Sequence, residues 1–183
     1  MKSSMPVVLL LSAVLSLAAC SARRTAPKLE PSSCGTVQRV HTFDGVYLAS
    51  QPAADDFRQA KTDGIHTVLN LRLPGELKEF DEPALVRELG MEYIAIPFQS
   101  PESLTPQVID NVRALLNDPA RRPLLVHCHS ANRVGAVWLA HRVLDGGLDW
   151  DAALAEAKLV GLKSPALEAA VRQYIASQES KQP

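Results

Sequence analysis

One stretch, LLVHCHSANRVGA from Leu124 to Ala136, gathers a cysteine, two histidines, a serine, an asparagine and an arginine between His127 and Arg133. Cys128 follows the apolar run Leu124-Leu125-Val126, and four residues separate it from Arg133. A helical pattern starts at about Arg133, so the segment reads as a loop between a strand and a helix N-terminus. Such a loop suits an anion, because unpaired backbone N–H groups point into it and the helix dipole adds partial positive charge. A cysteine at its start is favoured as the nucleophilic thiolate. An arginine at its far side grips two oxygens of a phosphate or sulfate at once and stabilises charge that develops during transfer. Ser130 and Asn132 supply further polar groups, His129 is placed to touch substrate, and the amide of Ala131 completes the loop. This chemistry is that of a cysteine nucleophile attacking an oxyanion ester or a related sulfur centre. The plain alternative is an inert strand-end thiol beside a surface arginine.

Other polar residues fall near the same place or away from it. Asn70 and Arg72 sit at the carboxyl end of another strand, on the same side as the loop. Arg72 is expected either to help hold an anionic substrate or to make structural hydrogen bonds. His127 points opposite Cys128 in a regular strand and is expected to hold the loop from behind. His141 shares a helix face with Val137, Trp138 and Leu144 and reads as core. His127, Cys128 and His129 do not make a metal site, since adjacent strand residues alternate sides and no Cys-x2-Cys or His-x3-His spacing is present.

The elements that must position these residues alternate in type. Val46–Ala49 is a short strand, broken by Ser50-Gln51-Pro52, and Ala53 to Asp63 reads as a helix ended by Gly64. Ile65 to Leu71 is a buried strand, and Pro74-Gly75 a turn. Pro83 to Leu89 is a short helix closed by Gly90, and Tyr93 to Ile96 a strand stopped by Pro97. Thr105-Pro106 opens a helix as N-cap and first position, with Val108, Ile109, Val112, Leu115 and Leu116 on one face. Leu124–Val126 is a central strand. Helices follow from about Arg133 to Leu144, from Asp149 or Trp150 to near Gly161, and from Ser164-Pro165 with Leu167, Ala170, Val171, Tyr174 and Ile175 on one face. Strands alternating with helices predict an α/β domain with a central, mainly parallel sheet, and the helical C-terminal third covers one sheet face. Ligands of such sheets bind beyond the carboxyl ends of the strands, where the Cys128 loop lies.

The chain has 183 residues, 46% hydrophobic and 21% charged, enough for one domain with a real core. A net charge of −1 gives no general basic character, which argues against nucleic acid as a partner. Residues 1–19 form a secretory signal: one lysine, Lys2, then a nearly uncharged apolar run ending in small residues. Leu17-Ala18-Ala19-Cys20 resembles a bacterial lipobox, which implies cleavage before Cys20 and lipid on Cys20. Ser21 after it implies sorting to the outer membrane, facing the periplasm. Residues 20–35 follow as a lipidated cysteine and flexible tether rich in Ser, Pro and charge, 36–178 as the folded domain, and 179–183 as a tail. In an oxidising compartment Cys34 and Cys128 are able to pair on count alone, which would disarm Cys128.

VHCHSANRVGA resembles the signature of cysteine-dependent protein phosphatases, especially the bacterial dual-specificity-like group with beta-lactamase hydrolase-like phosphatase domains. VYLASQPAADDF, TVLNLRLPGE, YIAIPF, TPQVIDNVRALL and LLVHC follow that family's order, and the likeness spans roughly Val40 to Gln173. The resemblance implies a phosphatase-like three-layer α/β domain with Cys128 as nucleophile and Arg133 as phosphate ligand. It also implies a phosphocysteine intermediate and no metal or other cofactor. Departures matter as much. The usual loop has five residues between Cys and Arg; the four found here match rhodanese-type sulfurtransferases, although the beta-lactamase hydrolase-like relatives also use a short loop. Ala131 stands where glycine is common, at a cost of roughly 1 kcal/mol if the backbone is left-handed there. Val134 replaces the usual Ser or Thr. The acid-bearing position falls near Ser100, leaving Glu102 as the expected general acid, with Asp81 and Glu82 as competitors. The activity expected is therefore a weak or atypical phosphatase. The alternatives are sulfur transfer through a Cys128 persulfide, or a silent module that binds an anion or phosphorylated ligand.

Overall fold

The computed structural model describes residues 26–180, so the signal peptide, Cys20 and the last three residues of the expected tail lie outside the described residues. One sheet holds β1 (Glu30–Pro31), β2 (Val40–Phe43), β3 (Val46–Ala49), β4 (Thr67–Asn70), β5 (Glu92–Ala95) and β6 (Leu124–His127), in the order β1-β2-β3-β6-β4-β5. The β3–β6, β6–β4 and β4–β5 pairs are parallel, and β1–β2 and β2–β3 are antiparallel. Among the described residues there are six α-helices: α1 (Ala54–Thr62), α2 (Glu82–Glu88), α3 (Pro106–Asn117), α4 (Asn132–Leu144), α5 (Trp150–Val160) and α6 (Pro165–Glu179). Among the described residues no helix is long and apolar enough to cross a membrane.

Three layers result. β6 is buried along its whole length, and its side chains alternate between two cores. Leu124, Val126 and, just beyond the strand, Cys128 pack with α3, α4, α5 and α6. Leu125 packs on the opposite face with Phe57 and Ala60 of α1 and Val86 of α2. Helix boundaries follow their capping chemistry: Thr105, Asp149 and Ser164 each accept a backbone N–H from the first turn of α3, α5 and α6. α4 is buried from Arg133 to Arg142, as expected of a helix covered on all sides.

Two expectations change. The chain joins the fold before residue 36: Leu29 and Cys34 are buried, and β1 pairs antiparallel with β2 inside the expected tether. β1 is a sheet edge, where Pro31 is tolerated because an outward-facing missing N–H costs nothing, and a two-residue strand leaves no hydrophobic period to read. The Cys34–Cys128 pair is not formed. Both are free thiols, and they belong to the two separate cores on opposite faces of the sheet.

The connection from α5 to α6 lies hard against the start of α4. A Cβ at Gly135 would stand 2.6 Å from Leu162 N and 2.7 Å from Ala157 O, backbone atoms that cannot swing aside. Gly135→Ala is expected to lower the unfolding free energy by about 1–3 kcal/mol through overpacking, measured by urea denaturation. An unchanged midpoint would show that this contact is not close.

Candidate active site

Parallel register brings three strand ends to one rim. His127 lies opposite Ala49 on one side and Asn70 on the other, so the residues after β3, β6 and β4 emerge together. Backbone bonds stitch the rim: Leu71 N donates to His127 O (3.0 Å) and Gln51 N to His129 O (3.2 Å). Cys128 leaves β6 here with 1% of its surface exposed, and His129 and Ser130 are exposed. Ala131 adopts the left-handed conformation (φ 65°, ψ 4°) that turns the chain into α4. Its buried methyl faces Gly161, where a Cβ would approach it to 2.9 Å. The turn thus carries a backbone strain of roughly 1 kcal/mol that glycine would avoid.

Arg133, on the first turn of α4, is held by four acceptors. Its Nη1 donates to Glu76 Oε1 (2.7 Å), Phe98 O (2.8 Å) and Leu71 O (3.2 Å), and its Nη2 donates to Glu76 Oε2 (2.7 Å). A guanidinium has five N–H donors, so Nε–H and one Nη2–H remain beyond these contacts. Burial alone would lower the Arg133 pKa, but the Glu76 hydrogen bonds and the negative charge available at the neighbouring Cys128 raise it instead. Glu76 is pulled the other way, down to about 2, chiefly by its hydrogen bonds from Arg133. It also accepts from Leu73 N (2.7 Å) and Arg72 Nε (3.4 Å). Arg72 is 5% exposed and braces the rim through its bonds to Glu76 and Gln51, and it also lines the cleft beside His129.

A second polar network lies behind the loop. Glu82 Oε1 receives the Tyr93 hydroxyl (3.2 Å) and Glu82 Oε2 the Gln51 amide (2.8 Å). His127 Nε2 stands 3.1 Å from Glu82 Oε1, an ion-pair distance, although its N–H is not aligned for a good hydrogen bond. His127 is fully buried, edge-on to Phe57, on the sheet face away from Cys128. Burial would raise the Glu82 pKa, but the neighbouring His127 and the Gln51 and Tyr93 donors bring it below the usual carboxylate value. Asn70 links this network to the rim, donating to Tyr93 Oη (2.8 Å) and accepting from Arg72 N (2.7 Å).

The sequence-derived site residues separate into groups. Cys128, Arg133, His129, Ser130 and Ala131 share the loop. Asn132 is engaged elsewhere: its Oδ1 accepts from Lys163 N (2.7 Å) and Ser164 N (3.1 Å), fastening α4 to the α5–α6 connection. Glu102 is not brought to the loop. It stands exposed on the 3-10 turn Pro101–Ser103, beside a cleft shared with Ala166 and Gln173 of α6, and a Ser100 hydrogen bond keeps its pKa low. The competing carboxylates are also taken, Asp81 as the N-cap of α2 and Glu82 in the buried network. Residue type alone does not single out Glu76 and Gln51. The signal was positional: each follows a strand whose end must meet β6.

Among the described residues no group of three or more His, Cys, Asp or Glu is placed to hold a metal ion.

Glu76→Gln is expected to weaken the fold by about 2 kcal/mol at neutral pH, as for a lost hydrogen bond to a charged group. The Glu76 pKa is depressed from 4.5 to about 2, so the wild-type advantage is complete above pH 4.5 and shrinks as pH falls towards 2. Paired denaturation curves of the two proteins across that range measure it. A pH-independent difference would contradict the assignment.

Comparison with known proteins places this geometry. Residues 39–144 match the family model described as beta-lactamase hydrolase-like protein, phosphatase-like domain. A search of curated proteins finds no match. Among solved structures, TpbA of P. aeruginosa is 18% identical, with 85% of this chain and 96% of that one covered and a TM-score of 0.66. A second TpbA structure, in complex with pTyr, is 17% identical over 83% of this chain and 94% of that one, also at TM-score 0.66. PTPMT1 in complex with PI(5)P is 14% identical over 75% and 94%, with a TM-score of 0.63. At these identities the likeness to solved structures is one of fold. The family match runs from the strand preceding the rim through the loop and the whole of α4, more than half of the chain, and the chain therefore belongs to the beta-lactamase hydrolase-like, phosphatase-like domain family.

Proposed function

We propose that the protein hydrolyses phosphate monoesters through a Cys128 thiolate. The Cys128 sulfur attacks phosphorus and the ester oxygen departs, leaving a phosphocysteine. Water then attacks that intermediate, releasing phosphate and restoring the thiol. The observation that carries this reading is the setting of Arg133: four protein acceptors fix its guanidinium next to Cys128, and two of its N–H donors remain beyond those four contacts. A donor fixed before the reaction stabilises the developing charge without reorganising. Family membership supports the same reading, and the phosphorylated ligands of the TpbA and PTPMT1 structures are compatible with it. Nothing in these comparisons favours sulfur transfer.

Leaving-group chemistry narrows the substrate. Asp56, Glu76 and Glu79 are the carboxylates lining the clefts that adjoin His129. Asp56 and Glu76 are bound to backbone and side-chain donors, and backbone N–H groups lower the pKa of exposed Glu79. Glu76 and Glu79, with their pKa values lowered, are not poised as proton donors near neutral pH, and Asp56 is turned to the Thr36 and Ala53 N–H groups. A general acid is worth ~10²–10⁴-fold on a poor leaving group, so aryl phosphates are favoured over alkyl phosphates. We further propose that Cys20 carries lipid and holds the domain at the outer membrane, facing the periplasm; the Leu17–Cys20 motif supports this.

Two measurements test the proposal. Full-length protein with a reduced thiol is expected to hydrolyse 4-nitrophenyl phosphate. Cys128→Ser abolishes this, and Arg133→Lys lowers kcat/KM by about 10²–10³-fold, as for loss of an oxyanion donor. Persistent turnover in Cys128→Ser would end the mechanism. Mass spectrometry of the membrane-extracted protein is expected to find lipid on an N-terminal Cys20, and an uncleaved N-terminus would remove the anchor.

A further inference from the structure

The two sides of the Cys128 loop differ in chemistry. Towards α1 and the β4–α2 connection, the cleft holds Pro52, Ala54, Leu77 and Phe80 along with Arg72 and Glu76. Towards β2 and the α5–α6 connection lies a polar cleft of about 530 Å³. His129 and Ser130 form its wall on the loop side, and Thr36, Gln51, Arg39 and Lys163 line the rest.

Arg39 and Lys163 are fixed close to the loop by their own backbones. Ser50 N donates to Arg39 O (3.0 Å), and the next residue, Gln51, donates to His129 O (3.2 Å). Lys163 N donates to Asn132 Oδ1 (2.7 Å) at the first turn of α4. Their side-chain charges are unspent. Among the described residues, neither cation has a carboxylate within 4.0 Å, and the one side-chain hydrogen bond between them is Arg39 Nη1 to Leu159 O (3.3 Å). The cleft's single carboxylate, Asp56, is turned to the Thr36 and Ala53 N–H groups. Two uncompensated cations beside a loop that binds one anion favour a second anion, and hydroxyl and amide walls favour a hydroxylated scaffold between them.

We propose that this cleft is a second anion subsite, and that the substrate is a polyol carrying two phosphates, one held by the Cys128–Arg133 loop and the other by Arg39 and Lys163. The inference rests on the proposed binding of phosphate at the loop. The same chemistry is offered by a free bisphosphorylated polyol and by a lipid headgroup.

The test is calorimetric titration of the full-length Cys128→Ser protein with myo-inositol 1-phosphate and myo-inositol 1,4-bisphosphate at low salt. The bisphosphate is expected to bind about tenfold more tightly or better, the effect of one added charge-assisted hydrogen bond. That advantage collapses in Arg39→Gln/Lys163→Gln and returns in Arg39→Lys/Lys163→Arg. Equal binding of the two ligands, or an advantage that survives the double Gln variant, overturns the proposal. If neither ligand binds while wild-type protein still hydrolyses 4-nitrophenyl phosphate, the subsite falls and the phosphatase reading stands; if that hydrolysis is also missing, both fall. Repeating the titration with a short-chain lipid bearing the bisphosphate headgroup separates the two sources: tighter binding than the free headgroup points to a lipid, equal binding to a soluble polyol phosphate.

Discussion

The paired hydrogen bonds between Arg133 and Glu76 hold the rim together. A planar guanidinium facing a carboxylate makes two parallel charge-assisted bonds, here both 2.7 Å long. The same guanidinium also binds the carbonyls of Leu71 and Phe98, so one side chain ties α4 to the segments that leave β4 and β5. A charge this buried is costly unless its partners are in place. The loop around Cys128 is therefore set by contacts outside itself, and the arginine is oriented before any ligand arrives.

Glu76 extends the constraint. It also receives Arg72, which reaches across to Gln51 after β3. Gln51 in turn donates to Glu82, whose carboxylate faces His127 behind the loop. Charged side chains and the Gln51 amide thus form one hydrogen-bonded chain from the loop side of the sheet to Glu82 at its back. The arrangement fits the rule that buried polar groups persist where their hydrogen bonds are satisfied. His127 is the exception, with no aligned partner at either ring nitrogen.

Around this rigid centre the surfaces are uneven. Apolar side chains from α1 and the β4–α2 connection stand on one side of His129, and hydroxyl, amide and cationic groups stand on the other. The sheet's parallel half delivers the loop, and its antiparallel edge, β1 and β2, carries the chain that walls the polar side. The cysteine–arginine loop and the polar wall beside it thus come from different parts of the sheet.

Much of this was legible in the residues. The Cys-x4-Arg loop after an apolar run, the N-caps Thr105 and Ser164, and the alternation of strand and helix are local patterns, each set by backbone sterics, capping or hydrophobic period. They determined the α/β class and put Cys128 and Arg133 in one strand-to-helix loop. The backbone at Ala131 is flagged only through the resemblance, as a position where such loops commonly carry glycine, and the structure places it in the left-handed region. The partners of Arg133 were not legible. Glu76 lies 57 residues from it, and no local pattern specifies which distant carboxylate will meet a guanidinium. Glu102 and Asn132 show the converse: suitable residue types at suitable positions, of which Glu102 is left exposed on a turn beside α6 and Asn132 is taken up by the α5–α6 connection. The edge strand β1 and the buried Cys34 arose from backbone pairing and from a core contributed by α1, neither of which leaves a period in a Ser- and Pro-rich segment. Local order followed from short-range sterics written in the sequence, whereas the register of parallel strands, which only the folded sheet sets, decided which side chains meet at the rim.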